Sequence, residues 1–461
     1  MMTHDTSQQP GSGRAGQPHL LYVAWGFPPC RGGGVYRALA TANRFAEQGW
    51  RVTVLTAERD TFIRFTGADP TLEDRVDPRV EVVRVPFDWP IHEANLRNWS
   101  RFRATRPKAW AKLRSRRDQL PFPEVGYGPW RGVIEGAAER IHAADPVDLV
   151  VATANPHVAF TAAWKLHRNH SVPYVMDYRD AWLLDVFSGD RLHDERSRAA
   201  RWERKLVDAA HEVWFVNDPI RDWHRDLYPA HAGKMHTVAN GFDAELAPAV
   251  HDRGPVGDRP LVFGYIGTVS PKVPLKEFVE GWQLARSQSP DLDGAEAHIH
   301  GYLGFYAQPR VDMLATINSA ADDGLSYQGP VGKTDIGKVY DGLDVQLLIL
   351  GAGRYVTSGK VFEYLATGLP VVSVHDPINA ASDILRGHPL WFPVTDLQPE
   401  SVARALADAA HAAHTADEQT RRAAREFGAR FRRDLQLDPR IAALRSAIAP
   451  AGAPAPEVTA P

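Results

Sequence analysis

The chain alternates short apolar runs with longer amphipathic segments along most of its length. The runs are bounded by glycine, proline or asparagine and are typical of buried strands. Strands that alternate with helices pair in parallel, because each connecting helix crosses over one face of the sheet. The pattern therefore predicts an α/β protein with helices such as Gly34–Gln48 and Val158–Asn169. The first predicted strands are His19–Trp25, Arg51–Thr56, Val80–Val85, Val147–Ala152, Tyr174–Asp177, Val213–Val216 and His236–Val238.

The alternation stops at the polar stretch His251–Arg259 and then begins again. A chain of 461 residues exceeds what one hydrophobic core usually holds. We therefore predict two doubly wound, Rossmann-like domains that face a central cleft, residues 18–250 and residues 258–430, with a boundary near residues 248–259. The second set of predicted strands is Pro260–Gly267, Ala297–Gly301, Leu325–Gln328, Val345–Leu350 and Val371–His375.

The two ends of the chain differ from these domains in composition. Residues 1–17 are polar, and the tail 449–461 is rich in alanine and proline, so both are expected to be disordered. Residues 431–448 are predicted to form a C-terminal helix that packs back on the first domain.

Composition excludes several functional classes. The formal net charge of -3 gives no global attraction to nucleic acid, so no nucleic-acid partner is expected. No stretch approaches the ~18 apolar residues of a membrane span, and the N-terminus lacks the apolar core of a signal peptide. Cys30 is the single cysteine, which excludes an intrachain disulfide and fits a reducing compartment. We expect a cytoplasmic protein, with peripheral contact at the inner face of the membrane left open.

The segment Val356–Val372 carries the strongest indication of chemistry. Ser358, Gly359 and Lys360 open a helix that is expected to end at Gly368. The first turn of a helix offers free N–H groups, and with an adjacent lysine it attracts anions, above all phosphate. Ser358 either caps this helix or approaches the phosphate. Glu363, about one turn further on, is placed to accept hydrogen bonds from sugar hydroxyls, so the segment suits a nucleoside diphosphate sugar.

A second candidate phosphate site lies near the N-terminus, where Gly32, Gly33 and Gly34 precede a helix. Glycines let backbone N–H groups approach a diphosphate closely. Arg37, one turn into the helix, could add a cationic contact. A dinucleotide-binding loop would need Gly-x-Gly-x-x-Gly, which is absent, and a merely flexible turn is the remaining alternative.

Five segments, in the expected order, resemble motifs of family 4 glycosyltransferases. They are Tyr22–Gly34, Asp177–Asp180, Val238–Asp243, Tyr265–Thr268 and Val356–Val372. The resemblance implies the GT-B fold and transfer of a sugar from UDP or GDP to a hydroxyl acceptor, with retention of anomeric configuration and without a metal or other cofactor. The acceptor is expected to be a small molecule, a glycan or a lipid-linked molecule. Glu363 is then the residue that binds the ribose of the nucleotide.

The resemblance also assigns roles in the cleft. Gly267 and Thr268 begin the second domain's phosphate turn, in which Lys272 is the nearest match to the family's basic clamp; otherwise Lys272 is a loop lysine. The family often has another glutamate eight residues before Glu363, and Tyr355 stands there, which leaves the transferred sugar open.

In the first domain, Arg179 and Asp180 follow a strand end, where ligands bind in parallel sheets. They are expected to face the acceptor or the transferred sugar, the alternative being an ion pair that fixes the loop. His157 lies near the position of a histidine that contacts the sugar in several relatives.

No metal site is evident in the sequence. His298 and His300 share one face of a strand, but no third ligand accompanies them, so a structural role is expected. Other functions remain open: a nucleotide-sugar epimerase of GT-B fold, a nucleotide-dependent oxidoreductase, or a non-catalytic binding protein with a degenerate site.

Residues 97–117 contain nine arginines and lysines and no acid, together with Trp99, Phe102 and Trp110. A basic segment with aromatic residues can lie on an anionic membrane surface or hold an anionic acceptor. The alternative is a solvated helical face whose aromatic side chains pack inward.

Overall fold

The computed structural model describes residues 17–244, 256–257, 259–304, 310–331, 336–351 and 353–448. The segments predicted to be disordered, 1–17 and 449–461, lie outside the described residues except for Gln17. Most of the predicted domain boundary at residues 248–259 also lies outside them. Among the described residues, no helix has the length and apolar character needed to cross a membrane.

The first sheet has seven strands, all parallel. They are β1 (His19–Ala24), β2 (Arg51–Ala57), β3 (Val80–Val85), β4 (Leu149–Ala154), β5 (Tyr174–Tyr178), β6 (Glu212–Phe215) and β7 (Met235–Thr237). Their order is β3-β2-β1-β4-β5-β6-β7. The strand order reverses between β1 and β4, so the carboxyl ends of these two strands border a crevice of the kind in which ligands bind.

The second sheet has six parallel strands. They are β8 (Val262–Ile266), β9 (Glu296–His300), β10 (Leu325–Gly329), β11 (Val345–Ile349), β12 (Val371–Val374) and β13 (Trp391–Pro393). Their order is β10-β9-β8-β11-β12-β13, with the same reversal between β8 and β11. The sequence prediction missed β13, an edge strand of only three residues that ends in a proline.

Helices cover both sheets. Those before β8 are α1 (Val35–Glu47), α2 (Arg59–Phe65), α3 (Arg101–Thr105), α4 (Pro107–Asp118), α5 (Trp130–Ala144), α6 (Phe160–His170), α7 (Arg198–Ala209) and α8 (Asp218–Leu227). Those after it are α9 (Leu275–Gln288), α10 (Val311–Asn318), α11 (Ile336–Gly342), α12 (Gly359–Thr367), α13 (Ala380–Leu385), α14 (Pro399–Thr415), α15 (Glu418–Ala429) and α16 (Arg433–Ile448).

Helix α1 shows how the sequence selects these elements. Val35, Ala38, Ala42 and Phe45 recur at helical spacing and are buried against the first sheet. Because the same face also carries small residues, the helix can lie close to the strands. Its first turn is therefore held at the carboxyl end of β1, next to the glycine triplet.

Helix α16 lies over the first sheet although it follows the second domain in sequence. Leu437, Ile441 and Leu444 are buried in the same core as Leu20 and Tyr22 of β1. The carboxylate of its Asp438 also accepts hydrogen bonds from the Arg44 guanidinium of α1 at 2.6 Å. The chain thus crosses between the sheets twice, and the two crossings pair at Phe242 and Arg432.

The basic segment 97–117 forms the short helix α3 and most of α4. Trp99 and Trp110 pack on the buried Arg103, whose guanidinium carbon lies 4.1 and 4.4 Å from their ring centroids. Arg103 also donates to the main-chain oxygens of the segment before it. The two tryptophans therefore pack inward, whereas Phe102 and Leu113 remain 42% and 60% exposed.

Candidate functional site

Lys360, in the first turn of α12, is held by the strand next to it. Its Nζ donates to the Tyr265 hydroxyl at 2.7 Å and lies 4.2 Å from the centroid of that ring. The Tyr265 hydroxyl in turn donates to the main-chain oxygen of Thr268. Burial lowers the pKa of Lys360 to about 8, and the nearby Glu363 partly opposes this shift. Among the described residues no carboxylate forms an ion pair with Lys360, so the ammonium remains available to an anion.

Gly267 makes room for this lysine. It has φ of 141°, and a Cβ at this position would lie 2.0 Å from both Cε and Nζ of Lys360. This φ favours glycine, and a side chain here would also displace the end of Lys360. The structure therefore brings together the β8–α9 turn, with its exposed Thr268, and the start of α12.

The first turn of α12 has a side-chain cap but remains exposed to solvent. The Ser358 hydroxyl accepts the N–H of Lys360 at 3.4 Å, as expected for a helix cap. Gly359 is exposed, and a Cβ there would meet nothing within 4 Å. Glu363, one turn on, is exposed and accepts a hydrogen bond from the buried Tyr340 hydroxyl at 3.4 Å. Lys360 and Glu363 thus project from one side of a helix end.

In the first domain, Arg179 lies against Gly34, the last residue of the glycine triplet. A Cβ at Gly34 would lie 1.0 Å from Nη1 of Arg179, while one at Gly33 would meet nothing within 4 Å. Arg179 donates from Nε to the oxygen of Ala154 at 2.6 Å and from Nη2 to the oxygen of Asn155. The structure therefore joins the glycine triplet to the carboxyl ends of β4 and β5.

Asp180 and His157 lie at the same edge of the sheet. Asp180 is exposed, and its carboxylate accepts a hydrogen bond from the Asn155 amide at 2.8 Å. His157 is buried: Nδ1 lies 3.3 Å from the Glu124 carboxylate, and Nε2 lies 3.4 Å from the main-chain oxygen of Asp180. Its ring stacks on Trp182 at 5.2 Å. Both ring nitrogens thus face protein atoms, and sequence reasoning missed Glu124 and Asn155.

The expectation that Arg37 contacts the ligand is wrong. Arg37 is 4% exposed and forms a bidentate pair with the Asp177 carboxylate, with Nη2 2.6 Å from Oδ1. It also donates to the oxygens of Val238 and Ala239. Arg37 thus links α1 to β5 and to the segment Val238–Ala239 that follows β7. Its guanidinium is therefore not available to bind a phosphate.

Lys272 reaches across to the first domain. Its Nζ lies 3.7 Å from the ring centroid of Phe187, which belongs to the loop that follows β5. A second contact lies nearby, where the buried Asn217 amide donates to the oxygen of Tyr355 at 3.0 Å and to the Thr357 hydroxyl at 2.8 Å. No sequence motif indicates Phe187 or Asn217.

The two strand histidines have local partners. His298 Nε2 lies 3.0 Å from the Glu296 carboxylate, and burial lowers the pKa of His300. Within the described ranges, histidine, cysteine and acidic side chains form no group of three or more that could hold a metal ion.

Comparison with known proteins gives a consistent result for the fold. Residues 32–241 match the model of a glycosyl transferase 4-like domain. A glycosyltransferase from Rickettsia africae is 13% identical over 94% of this chain and 98% of its own, with a TM-score of 0.64. Sucrose-phosphate synthase from Thermosynechococcus elongatus is 15% identical over 94% and 100%, with a TM-score of 0.58.

Alr3699/HepE from Anabaena, whose structure is a complex with UDP, is 14% identical over 93% of this chain and 100% of its own, with a TM-score of 0.59. No curated protein sequence is significantly similar to the chain. Residues 32–241 thus resemble a glycosyl transferase 4-like domain, and the two parallel sheets form a GT-B fold. The predicted fold class and the resemblance to family 4 are thereby confirmed.

Proposed function

We propose that this protein transfers a sugar from a nucleoside diphosphate sugar, UDP- or GDP-linked, to a hydroxyl acceptor with retention of anomeric configuration. The observation that carries the proposal is the Lys360 ammonium at the N-terminus of α12, held by Tyr265 and without an ion-paired carboxylate among the described residues. A desolvated cation beside free helix N–H groups suits a diphosphate leaving group.

In the proposed reaction the anomeric C–O bond to the β-phosphate breaks, and its electron pair stays on the phosphate oxygen. The acceptor oxygen bonds to the anomeric carbon from the same face, and its proton passes to the departing phosphate. Lys360 and the N–H groups of α12 stabilise the charge that develops on the diphosphate. Glu363 binds the ribose, and the exposed Gly33 offers its backbone from the other side of the cleft. No side chain serves as a nucleophile in this scheme, and no metal is assigned to it.

The first-domain residues are proposed to orient the acceptor and the transferred sugar. Asp180 is exposed at the carboxyl edge of the sheet, which suits hydrogen bonding to a hydroxyl group. His157 and Arg179 act on this edge mainly by holding the Asn155 turn and Asp180 in place. Tyr355 occupies the position of the family's other glutamate. The transferred sugar therefore has to be identified by screening.

The proposal is tested by thermal stabilisation with UDP and GDP, followed by screening the sugars of the nucleotide that stabilises. Proton NMR of the product then gives the anomeric configuration, and the reaction is repeated with EDTA. Release of nucleotide together with a glycosylated acceptor supports the transferase. Donor conversion without nucleotide release would instead indicate an epimerase, and binding without turnover a degenerate site. Inversion, or loss of activity with EDTA that a metal restores, would contradict the proposed mechanism.

We also propose that residues 97–117 contact an anionic membrane surface. The exposed Phe102 and Leu113 lie among cations, a combination that favours a charged lipid interface. Each cation near such a surface contributes about 1 kcal/mol. The exposed cations are Arg97, Arg101, Arg106, Lys108, Lys112, Arg116 and Arg117.

This contact is tested by sedimentation of the full chain with vesicles of phosphatidylcholine alone or mixed with phosphatidylglycerol. Lys112→Glu combined with Arg116→Glu should abolish binding to the anionic vesicles. The matched control, Arg79→Glu with Arg386→Glu, makes the same change in charge at other exposed sites and should bind normally. If both double variants lost vesicle binding equally, the binding would depend on net charge alone and not on residues 97–117. If the unmodified chain did not bind, the membrane contact would be excluded.

A further inference from the structure

The loop between β5 and α7 has a closed tip at residues 185–190. The Asp185 carboxylate accepts the N–H groups of Phe187 at 2.8 Å and Ser188 at 3.2 Å. The Asp185 N–H donates to the oxygen of Asp190, and Gly189 donates back to Asp185, both at 2.8 Å. These bonds fix the backbone, so the Phe187 side chain projects from an ordered turn although it is 50% exposed.

This tip of the first domain touches both halves of the second-domain phosphate site. The Phe187 ring lies under the Lys272 ammonium at 3.7 Å, in the turn between β8 and α9. Gly189, with φ of 80°, lies against Tyr355, since a Cβ there would be 3.2 Å from the tyrosine ring. Tyr355 lies in the segment that leads into α12 and Lys360.

We propose that Phe187 is a positioning residue for Lys272 and that the tip 185–190 forms the first-domain wall of the donor site. This inference rests on the proposed function. An aromatic face attracts an ammonium group without neutralising it, unlike a carboxylate. Within the described part of the chain no carboxylate lies within ion-pair distance of Lys272, although Lys272 adds to the hydrogen bonds from Phe187 and Ser188 that lower the pKa of the Asp185 carboxyl. The contact therefore restricts the rotamers of a long side chain and leaves its charge for a phosphate oxygen.

The inference predicts a specific loss on substitution. Leucine in place of Phe187 preserves apolar bulk but removes the aromatic face, whereas tyrosine keeps the face. Phe187→Leu should weaken binding of UDP or GDP about two- to fivefold, the range expected for a cation–π contact at an exposed site. Phe187→Tyr should bind as the unmodified chain does. Phe65→Leu is the matched control, since the Phe65 ring also forms a cation–π contact in the first domain, with the Arg64 guanidinium at 4.7 Å.

The experiment is isothermal calorimetry with UDP and GDP on the full chain, together with KM for the donor and kcat. The structure predicts a raised KM with little change in kcat for Phe187→Leu. Lys272→Met should itself weaken binding, and adding Phe187→Leu to it should have no further effect. A Phe187→Leu variant that is folded and binds normally would overturn the inference, as would an equal effect of Phe187→Leu in the Lys272→Met background. If the unmodified chain binds neither nucleotide, the proposed function fails and this inference fails with it.

Discussion

Replacing Lys360 by methionine should make the fold more stable and the enzyme less active. Methionine fills most of the space of the lysine chain without its charge. In the folded protein the ammonium has one hydroxyl partner and one aromatic face, and burial lowers its pKa to about 8. Keeping this group charged in the fold therefore costs on the order of 1–3 kcal/mol of unfolding free energy at pH 7.

The pH dependence gives the sign of this effect. Below pH 8 the lysine is charged in both the folded and the unfolded chain, so the full cost is present. As the pH rises from about 8 towards the ordinary lysine pKa, the folded protein loses the proton first. The unfolded state then binds more protons, and stability rises with pH in that window. Lys360→Met should unfold with a free energy higher by about 1–3 kcal/mol at pH 7 and should lack the rise.

Whereas the stability of the fold should rise in Lys360→Met, its turnover and its affinity for the donor should fall. Loss of one desolvated phosphate contact is expected to lower turnover about a hundredfold or more. In the unmodified protein, affinity for the free nucleotide should fall above pH 8 as the ammonium loses its proton. Denaturant unfolding across pH 7–10 and calorimetry measure the two effects, and Lys276→Met, at an exposed lysine of α9, is the control. A Lys360→Met variant with unchanged turnover and no gain in stability would refute the assignment.

Four further substitutions test other residues. Gly34→Ala should displace Arg179, because the added Cβ would lie 1.0 Å from Nη1, and activity should fall about a hundredfold. Gly33→Val, whose Cβ has open space, should fold normally but lose activity because its side chain blocks the donor's approach to the backbone, and full activity of this variant would contradict that contact. Glu363→Gln should weaken nucleotide binding by roughly 1.5–3 kcal/mol, and equal affinity by calorimetry would remove the ribose contact. Burial lowers the pKa of His388 to about 4, so its contribution to stability, about 3 kcal/mol, should be lost as the pH falls from 6.5 to 4, and His388→Leu should flatten that part of the denaturation profile.

The alternation of apolar runs predicts every strand of the two sheets except β13, because parallel strands buried on two faces have a strong local pattern. The strand ends were less predictable. The run Val147–Ala152 was predicted, whereas β4 is Leu149–Ala154. Asp148, just before the strand, makes a contact that the local pattern does not contain: its carboxylate accepts the N–H of His19 at 2.7 Å, from a residue far away in sequence. Local pattern thus predicts which segments are strands, and tertiary contacts decide where they begin.

The same distinction applies to charged residues at the site. Ser358, Lys360 and Glu363 belong to one helix end, so their relation follows from helical spacing. Arg37 also lies in the first turn of a helix after glycines, yet it is buried in a pair with Asp177, 140 residues away. An arginine at a helix start has the same local signature whether it faces phosphate or a buried carboxylate. Only the strand order separates the two cases, because it places β5, which carries Asp177, with only β4 between it and β1 and so close to the first turn of α1.

The proposed donor side of this site is therefore local in sequence, and its proposed first-domain wall is not. Lys360 depends on Gly267 and Tyr265, which resemble a family motif, but Lys272 depends on Phe187, which lies in the other domain. Contacts across a cleft form and break as domains move, so they can be weak individually without loss of function. An exposed aromatic residue that holds a cation meets this requirement, since it gives up the contact without leaving a buried charge unpaired. Such contacts correspond to no residue spacing within either domain. They can be identified only from a structure that contains both sheets.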